Sequence, residues 1–431
     1  MRRKHFFMII ILNCLFLFAF ELPIDVENVK SYPSTTYPIN GWMTATPEEV
    51  GINSTKLEKT YQYILDHEEL GIDSVSIVKN GYLCYKKYFE FFNYSNIHNT
   101  YSITKSVTSA LIGIANSTGM ITNLDEPVVE IFSNRTIQNL DARKEAMTIR
   151  HLLEMRSGLE WNELAVPYWR EVIPSDNYIL RTNTTNAYPG TWLNYYNPEN
   201  DFPRQLNSTD WIQYILDKPM VAEPGAMFTY STGVAHLLSA ILREKTGLNP
   251  EVFAKQYLFD PLNITEYLWW KDPSGLSVGG AGLWLTPNDM LKIGYLYLKN
   301  GEWNNTQILP ETWIESSKDL ISNLGFGYGY GYQWWINNEY TYYFALGLGG
   351  QIILVKPDRD LVVAITAWES IEDEVLQSLI NVHLLKAFIG EDTSTPVTTT
   401  AATPSSTSSI NSLSLILGMI LLYSLRKKRK T

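Results

Sequence analysis

Residues 101–115 read YSITKSVTSALIGIA, in which a serine stands three positions before a lysine at the start of an apolar run. The apolar side chains of this run recur at helical spacing, at Ile103, Val107, Ala110, Leu111 and Ile114. The pattern predicts a helix with one buried face, and residues three positions apart share a side of such a helix. The Lys105 ammonium can therefore reach the Ser102 hydroxyl. The alternative is that Ser102 caps the helix and Lys105 is a solvated surface charge.

Ser-x-x-Lys spacing alone is a weak signal, because it occurs three times in the chain. Ser76 and Lys79 fall in a predicted strand, where residues an odd number apart point to opposite faces. The third pair, Ser424 and Lys427, lies at the edge of the apolar C-terminal segment, where the lysine belongs to a basic cluster. Only Ser102 and Lys105 combine the spacing with the start of a helix, so this pair is the candidate site.

A serine hydroxyl becomes a strong nucleophile when a base removes its proton, and a lysine can be that base when its pKa falls toward neutrality. Three features would lower the pKa of Lys105: burial on the apolar face, the positive end of the helix dipole and any nearby cation. The backbone N–H of Ser102 is also unpaired at the helix start and available to an oxyanion. One stretch thus offers a nucleophile, a base and one oxyanion donor.

Two later stretches supply candidate partners for this pair. Residues 223–242 place Tyr230 and Thr232 before a second apolar helix, and a tyrosine phenol there can carry a proton between nucleophile and leaving group. Residues 345–355 read ALGLGGQIILV, in which glycines lead into a β-branched strand. Glycines let a ligand approach the strand edge, and the N–H of Gly350 is a candidate second oxyanion donor. Taken singly, a packed tyrosine and an ordinary turn explain the two stretches equally well.

The segment before the Ser-x-x-Lys pair predicts a helix followed by a hairpin. Residues 46–70 open with a capping box from Thr46 to Glu49 and continue with apolar residues at helical spacing. Two β-rich runs within 73–89 flank the dipeptide Asn80-Gly81, which is a strong hairpin signal. The first strands of a sheet are therefore expected near the N-terminal end.

Strand-like runs return late in the chain, over 330–336, 342–357 and 361–368, and a capped helix is predicted over 370–388. Residues 101–320 between the two strand groups are mainly helical and loop-like. For both groups to share a core, they must join in one antiparallel sheet. The fold class predicted is α/β (α+β), an antiparallel sheet with the terminal helices on one face and an all-helical subregion on the other.

The N-terminal end of the chain predicts export. Residues 1–20 have a basic start and an apolar stretch typical of a signal peptide, with an uncleaved anchor helix as the alternative. A lead over 21–45 then precedes the main folded domain, 46–390. Cys84 would be the one cysteine of the mature chain, so no internal disulfide is expected, and we interpret it as a packed small hydrophobe.

The C-terminal end predicts attachment to a surface. Residues 391–409 form a Ser/Thr/Pro-rich stalk, 410–425 an apolar transmembrane or sorting helix, and 426–431 a basic cytoplasmic tail. We expect a body on the extracellular face of the cell membrane with one C-terminal anchor, or a secreted or cell-surface protein if the tail is processed. Eight Asn-x-Ser/Thr acceptors agree with a glycoprotein.

Composition and histidine spacing exclude several other classes of protein. The formal net charge is −11 although basic residues cluster at both ends, so the body is acidic and nucleic acid is not an expected partner. The six histidines form no metal-ligand spacing, and we interpret His151 and His236, on predicted helices, as structural. No metal or organic cofactor is expected. A G-x-S-x-G elbow is missing, so the α/β-hydrolase fold is not supported.

The ordered motifs SITK, YST and a glycine-rich strand start resemble those of the serine β-lactamase-like hydrolases. This family includes class C β-lactamases, D,D-peptidases, esterases and 6-aminohexanoate-oligomer hydrolases. Stretches at 147–161, 278–313 and 346–367 match in the same order, and the resemblance covers roughly 45–390.

The resemblance implies a role for each residue of the candidate site. Ser102 would be the acylated nucleophile, Lys105 its base partner and Tyr230 the second proton carrier. The backbone N–H groups of Ser102 and Gly350 would bind the oxyanion. The expected enzyme is a serine hydrolase of small esters or amides that needs no cofactor.

Two departures from the family pattern bear on the substrate. Thr232 stands where many relatives have asparagine, so it lacks an amide to grip a substrate. Gly347-Leu348-Gly349 stands where penicillin-handling members have Lys-Thr-Gly or His-Thr-Gly, so the cation that binds a carboxylate is missing. Of these positions and that of Thr232, the substrate-binding candidates are Thr232, Leu348 and Gly349. They favour an esterase or amidase over a β-lactamase.

Two other functions stay open on the same fold. One is β-lactamase or D,D-peptidase activity, and the other is a catalytically dead surface binding protein. Trp334 and Trp335, just before the third motif, indicate either an aromatic pocket wall or core packing. The oligomeric state is not specified by the sequence.

Overall fold

The computed structural model describes residues 37–39, 41–89, 92–164, 197–325, 327–367 and 378–387. They belong to the compact unit Tyr32–Thr431, and the other unit, Met1–Ser31, lies outside them. The proposed signal peptide, stalk, apolar segment and basic tail also lie outside them and stay predictions. Within the described ranges, no helix has both the length and the apolar character needed to cross a bilayer.

The described strands are β1 (Ile72–Lys79), β2 (Tyr82–Tyr88), β3 (His98–Asn99), β4 (Tyr267–Trp269), β5 (Leu283–Leu285), β6 (Glu302–Trp303), β7 (Thr306–Gln307), β8 (Ser322–Gly325), β9 (Tyr328–Tyr330), β10 (Trp335–Asn337), β11 (Tyr342–Gly347), β12 (Gln351–Lys356) and β13 (Leu361–Ala367). Eight of them form one antiparallel sheet in the order β2-β1-β13-β12-β11-β10-β9-β8. A small sheet has the order β3-β5-β4, and β6 pairs with β7.

The described α-helices are α1 (Ser54–Leu65), α2 (Ile103–Ser117), α3 (Val128–Ile131), α4 (Ala142–Glu145), α5 (Ile149–Leu153), α6 (Asp201–Leu206), α7 (Trp211–Leu216), α8 (Thr232–Thr246), α9 (Pro250–Ala254), α10 (Pro287–Leu298) and α11 (Glu311–Lys318). Most of them fall between the two strand groups, as the sequence predicts. The predicted fold class, helices around an antiparallel sheet, is confirmed.

The predicted hairpin and the predicted joining of the strand groups are both confirmed. Asn80 and Gly81 have φ values of 53° and 83°, the left-handed pair that a two-residue hairpin turn requires. On its other side β1 pairs antiparallel with β13, so the first and last strands of the sheet's sequence are neighbours. Strands from the two ends of the domain are therefore hydrogen-bonded to each other, and the mainly helical insertion lies between them in the chain.

Alternate side chains of the central strands pack into two separate cores. Ile77 and Val363 face a core that contains α1 and residues 378–387. Val78 and Val362 face the larger core, which contains the helices of the insertion. This alternation is the period of two that strands impose. It confirms that the terminal helices and the helical insertion lie on opposite faces.

The predicted helix over 46–70 is shorter than expected. Thr46 and Glu49 do exchange capping hydrogen bonds, but they cap a 3₁₀ turn, Glu48–Val50, that Gly51 ends at φ 76°. The α-helix begins after Asn53, whose side chain accepts from the N–H three residues on. The break arises because glycine adopts the left-handed conformation at little cost.

One further boundary prediction is wrong, and one predicted helix differs in type. The strand predicted over 330–336 is split by a turn in which Gln333 has φ 64°. The Gln333 carbonyl accepts a hydrogen bond of 2.7 Å from Ser106 Oγ of α2, so this turn buttresses the helix behind the candidate site. The described part of the helix predicted over 370–388 is a π-helical turn, Ser378–Leu384, followed by a 3₁₀ turn, and its predicted start lies outside the described residues.

The contact of α10 with the sheet yields a stability prediction. A Cβ added at Gly294 would lie 2.5 Å from Val362 Cγ1 and 2.8 Å from Ile353 Cγ2. Overpacking of this kind costs about 1–3 kcal/mol. Gly294→Val should therefore lower the free energy of unfolding by that amount in chemical denaturation. Asn288→Val, at a half-buried position of the same helix, is the matched control, and equal stability of the two variants would contradict the packing.

Candidate active site

Ser102 immediately precedes α2, and its hydroxyl contacts the Lys105 side chain on the first turn of that helix. Tyr101 before it has φ 46°, a strained conformation for a non-glycine residue. Thr100 anchors the strained turn, because its N–H and its hydroxyl both donate to the Leu283 carbonyl, at 2.8 and 2.7 Å. The Ser102 side chain accepts no capping hydrogen bond. The interpretation of Ser102 as a helix cap is therefore wrong.

Lys105 is 1% exposed, and its ammonium nitrogen has three partners. Nζ lies 2.9 Å from Ser102 Oγ, 2.8 Å from Thr232 Oγ1 and 2.8 Å from the Gly280 carbonyl oxygen. The interpretation of Lys105 as a solvated surface charge is therefore wrong. The helical spacing brings lysine and serine together as predicted.

The electrostatics of Lys105 differ in one respect from the sequence-based expectation. Burial lowers the pKa of Lys105 to about 8, and the Glu163 carboxylate partly opposes this shift by stabilising the ammonium. Burial was predicted, but the neighbour is an anion and not the expected cation.

Tyr230 completes a cluster around the Ser102 hydroxyl. It hydrogen-bonds Ser102, and the centroid of its ring lies 4.7 Å from Lys105 Nζ. Burial holds the pKa of its phenol well above the ordinary value, the Glu163 charge adds to this effect, and the bond to Ser102 opposes it. Ser231 caps α8 through a 3.0 Å bond from the Val234 N–H, which fixes the segment that carries the tyrosine. Tyr230 is therefore a neutral phenol next to the serine.

The tryptophan pair before the third motif divides between the two expected roles. Trp335 is half-buried and stacks on Tyr230, with ring centroids 5.7 Å apart. Trp334 is fully buried and packs against Tyr297 and Tyr343. Trp335 therefore lies at the candidate site, and Trp334 belongs to the core.

The glycine-rich motif lies beside the strained turn that precedes Ser102. A Cβ added at Gly347, the last residue of β11, would lie 2.2 Å from the Thr100 carbonyl oxygen, so this close approach requires glycine. Leu348, Gly349 and Gly350 form the turn into β12. The Gly350 N–H donates to the Gly347 carbonyl at 3.2 Å. This candidate oxyanion donor is thus engaged within its own turn.

Sequence reasoning missed two contributors to the cluster, Glu163 and the Gly280 carbonyl. Glu163 is 1% exposed and accepts hydrogen bonds from the Thr232 N–H at 2.7 Å, the Thr232 hydroxyl at 2.6 Å and Trp161 Nε1 at 2.6 Å. No local signal separates it from the exposed Glu160 three residues earlier. The sequence around Glu163 and around Gly280 therefore does not indicate which distant residues they contact.

The two helical histidines have structural partners. His236 Nε2 lies 3.1 Å from Asp272 Oδ2 in a buried pair. His151 forms a capping box with Thr148 at the start of α5.

Cys84 is buried in the smaller core, where burial raises the pKa of its thiol to about 12. In the described ranges, no three His, Cys, Asp or Glu side chains are grouped so that they could hold a metal ion.

Comparison with known proteins agrees with this fold. A family model described as Beta-lactamase matches residues 67–376. The 6-aminohexanoate-dimer hydrolase of Paenarthrobacter ureafaciens is 23% identical over 154 residues, a match that spans 33% of this chain and 39% of that relative.

Solved structures match over more of the chain. A Bacillus anthracis protein assigned as a 6-aminohexanoate-dimer hydrolase has a TM-score of 0.61 at 22% identity, with 82% of this chain and 89% of that chain covered. The octameric penicillin-binding protein homologue from Pyrococcus abyssi has a TM-score of 0.56 at 21% identity, with 77% of each chain covered. At these identities the likeness concerns the fold.

Proposed function

Because this chain belongs to the Beta-lactamase family, as its motifs predict, we propose that it is a serine hydrolase that cleaves an ester or an amide through an acyl intermediate on Ser102. The observation that carries the proposal is the 2.9 Å contact between Lys105 Nζ and Ser102 Oγ in a buried cluster. A lysine held against a serine at a helix start is the arrangement that nucleophilic catalysis needs.

The three partners of Lys105 suit a base. A neutral amine keeps two N–H groups and one lone pair. With the N–H groups donating to Thr232 and Gly280, the lone pair faces the Ser102 hydroxyl and can take its proton.

The proposed reaction has two halves. Ser102 Oγ forms a bond to the substrate carbonyl carbon while its proton passes to Lys105. The resulting tetrahedral intermediate expels the leaving group, which receives a proton through Tyr230. Water then forms a bond to the acyl carbon and gives a proton to the same groups. The bond between that carbon and Ser102 Oγ breaks, Oγ takes the proton, and the carboxylic acid is released.

The oxyanion would be bound by the backbone N–H groups of Ser102 and Gly350. Each such donor contributes about 2.7–4 kcal/mol to transition-state stabilisation. The Gly350 N–H must then give up or share its bond to the Gly347 carbonyl when substrate arrives.

We propose neutral esters and amides as the substrate class. Leu348 and Gly349 offer no cation to a carboxylate, and the Thr232 hydroxyl is already bonded to Lys105 and Glu163. Steady-state assays of a chromogenic cephalosporin beside p-nitrophenyl esters and anilides should give faster turnover of the uncharged substrates. Faster turnover of the cephalosporin would favour the β-lactamase alternative.

Labelling of the folded protein by a fluorophosphonate probe tests whether it is a serine hydrolase. The probe reacts with activated serines, so the wild-type protein should be labelled and Ser102→Ala should not. Absence of labelling in both would favour the binding-protein alternative.

The rate of this labelling should rise with pH through a midpoint at about 8, which is the lowered pKa of Lys105. The neutral amine accepts the Ser102 proton, and its population grows as the pH rises through that pKa. An ordinary lysine, with a pKa of about 10.4, would place the midpoint more than two pH units higher. A rate that is flat or falling between about pH 7 and about pH 9 would contradict a Lys105 base.

We also propose that the enzyme acts outside the cell. The support is the composition of residues 1–20 and 410–425. Sensitivity of the protein to protease added to intact cells checks this location.

A further inference from the structure

Glu163 is a buried acid close to the candidate catalytic pair, Ser102 and Lys105. The proposed reaction gives this carboxylate no role. Trp161 and Thr232 together donate three hydrogen bonds to it. Gly233 allows this arrangement, because a Cβ there would lie 2.5 Å from Trp161 Cη2. A buried carboxylate is costly unless it is hydrogen-bonded and paired with a cation. Lys105 is a cation that feels the Glu163 charge, and the Thr232 hydroxyl lies between the two groups.

The Thr232 hydroxyl fixes the direction of the hydrogen bonds between these two charges. A carboxylate accepts hydrogen bonds only, so the hydroxyl must donate its single proton to Glu163, at 2.6 Å. Its oxygen is then an acceptor toward Lys105 Nζ, at 2.8 Å. The order of donation therefore runs from Lys105 through Thr232 to Glu163. Because the Gly280 carbonyl takes a second position on the lysine nitrogen, one position is left for Ser102.

We propose that Glu163, acting through the Thr232 hydroxyl, is a positioning residue that aims Lys105 at Ser102 and stabilises its positive charge. The inference rests on the proposed function, since it concerns the activation of the same serine. In the described part of the chain, the ionisable groups that face Lys105 are Glu163 and Tyr230. Tyr230 is neutral, so Glu163 carries the charge that opposes burial.

The role of Glu163 can be separated from a structural one by the pH profile of labelling. In Glu163→Gln, Lys105 loses its counter-charge, so its pKa should fall below that of the wild type. The midpoint of the labelling profile should move toward acid by about one to three pH units. A fluorophosphonate expels fluoride, which needs no proton from Tyr230, so the profile reports activation of Ser102 alone.

The Thr232 variants test the same proposal without altering a charge. Thr232→Val removes the hydroxyl at nearly constant volume, so Lys105 loses the acceptor that orients it toward Ser102. Labelling should then slow by about 10²-fold. Thr232→Ser keeps the hydroxyl and should restore most of the labelling rate that Thr232→Val loses. Asp272→Asn is the control for loss of a buried acid, since Asp272 pairs with His236. It should keep the wild-type midpoint.

The experiment uses the full chain, with labelling rates normalised to the folded fraction and Ser102→Ala as the blank. An acid shift in Glu163→Gln together with a slow Thr232→Val restored by Thr232→Ser supports the proposal. If Glu163→Gln does not fold, the labelling rates of Thr232→Val and Thr232→Ser test the proposal. Wild-type midpoint and rate in either Glu163→Gln or Thr232→Val would overturn it while leaving the serine hydrolase intact. A folded wild-type protein that is not labelled would instead remove the proposed function.

Discussion

Lys105→Met is expected to lower the rate of Ser102 acylation by about 10²–10⁴-fold, the range for loss of a general base. Methionine has a similar length and no basic nitrogen, so the Ser102 proton loses its acceptor. Methionine removes the desolvation cost of the lysine charge but leaves the Glu163 carboxylate without that counter-charge, so the rates are normalised to the folded fraction. The rates are measured with a fluorophosphonate probe and a p-nitrophenyl ester, beside the free energy of unfolding in denaturant.

Lys105→Arg is the control that separates a base from a positive charge. Arginine keeps the charge but holds its proton at all relevant pH values. We therefore expect a loss as large as that of Lys105→Met. An arginine variant that labels close to the wild-type rate would show that the charge at this position matters and proton transfer does not.

Tyr230→Phe should reduce anilide hydrolysis by about 10²–10⁴-fold and p-nitrophenyl ester hydrolysis by much less. An amine leaving group must be protonated as the bond breaks, whereas p-nitrophenolate leaves as an anion. The phenylalanine ring keeps the stacking on Trp335, so the pocket wall is unchanged. Values of kcat/KM for matched anilide and ester substrates give the comparison.

Equal losses on the two substrates would contradict protonation of the leaving group by Tyr230. In that case the hydrogen bond between Tyr230 and Ser102 would serve the attacking step alone. Labelling of Tyr230→Phe by a fluorophosphonate separates the two steps, since fluoride leaves without a proton. We expect that labelling to stay closer to the wild-type rate than anilide hydrolysis does.

Local patterns were sufficient to predict the centre of this site. Ser102 and Lys105 share a helix face, and the period of 3.6 residues fixes that geometry wherever the helix lies. Asn80-Gly81 specifies its turn through backbone conformations that few other residues adopt. The joining of the early and late strands followed from the need to bury both groups in one sheet. Each of these inferences depends on neighbours in sequence or on burial.

The parts that sequence reasoning missed depend on contacts between distant segments. Glu163 looks like any acidic residue after a tryptophan, and its role arises when α8 brings Thr232 against it. The Gly280 carbonyl is a backbone group, so its hydrogen bond to Lys105 does not depend on a particular side chain and cannot be predicted from residue types. The engagement of Gly350 within its turn likewise depends on backbone conformation. No pattern within one segment reports such pairings.

Rapid quenching of the full-length protein with a slowly hydrolysed p-nitrophenyl ester, followed by intact-mass analysis and peptide mapping, tests the acyl-enzyme most directly. We expect one acyl group per chain, located on Ser102, which disappears over time and never forms in Ser102→Ala. Turnover by folded wild-type protein with the adduct on another residue, or with equal turnover by Ser102→Ala, would contradict this expectation.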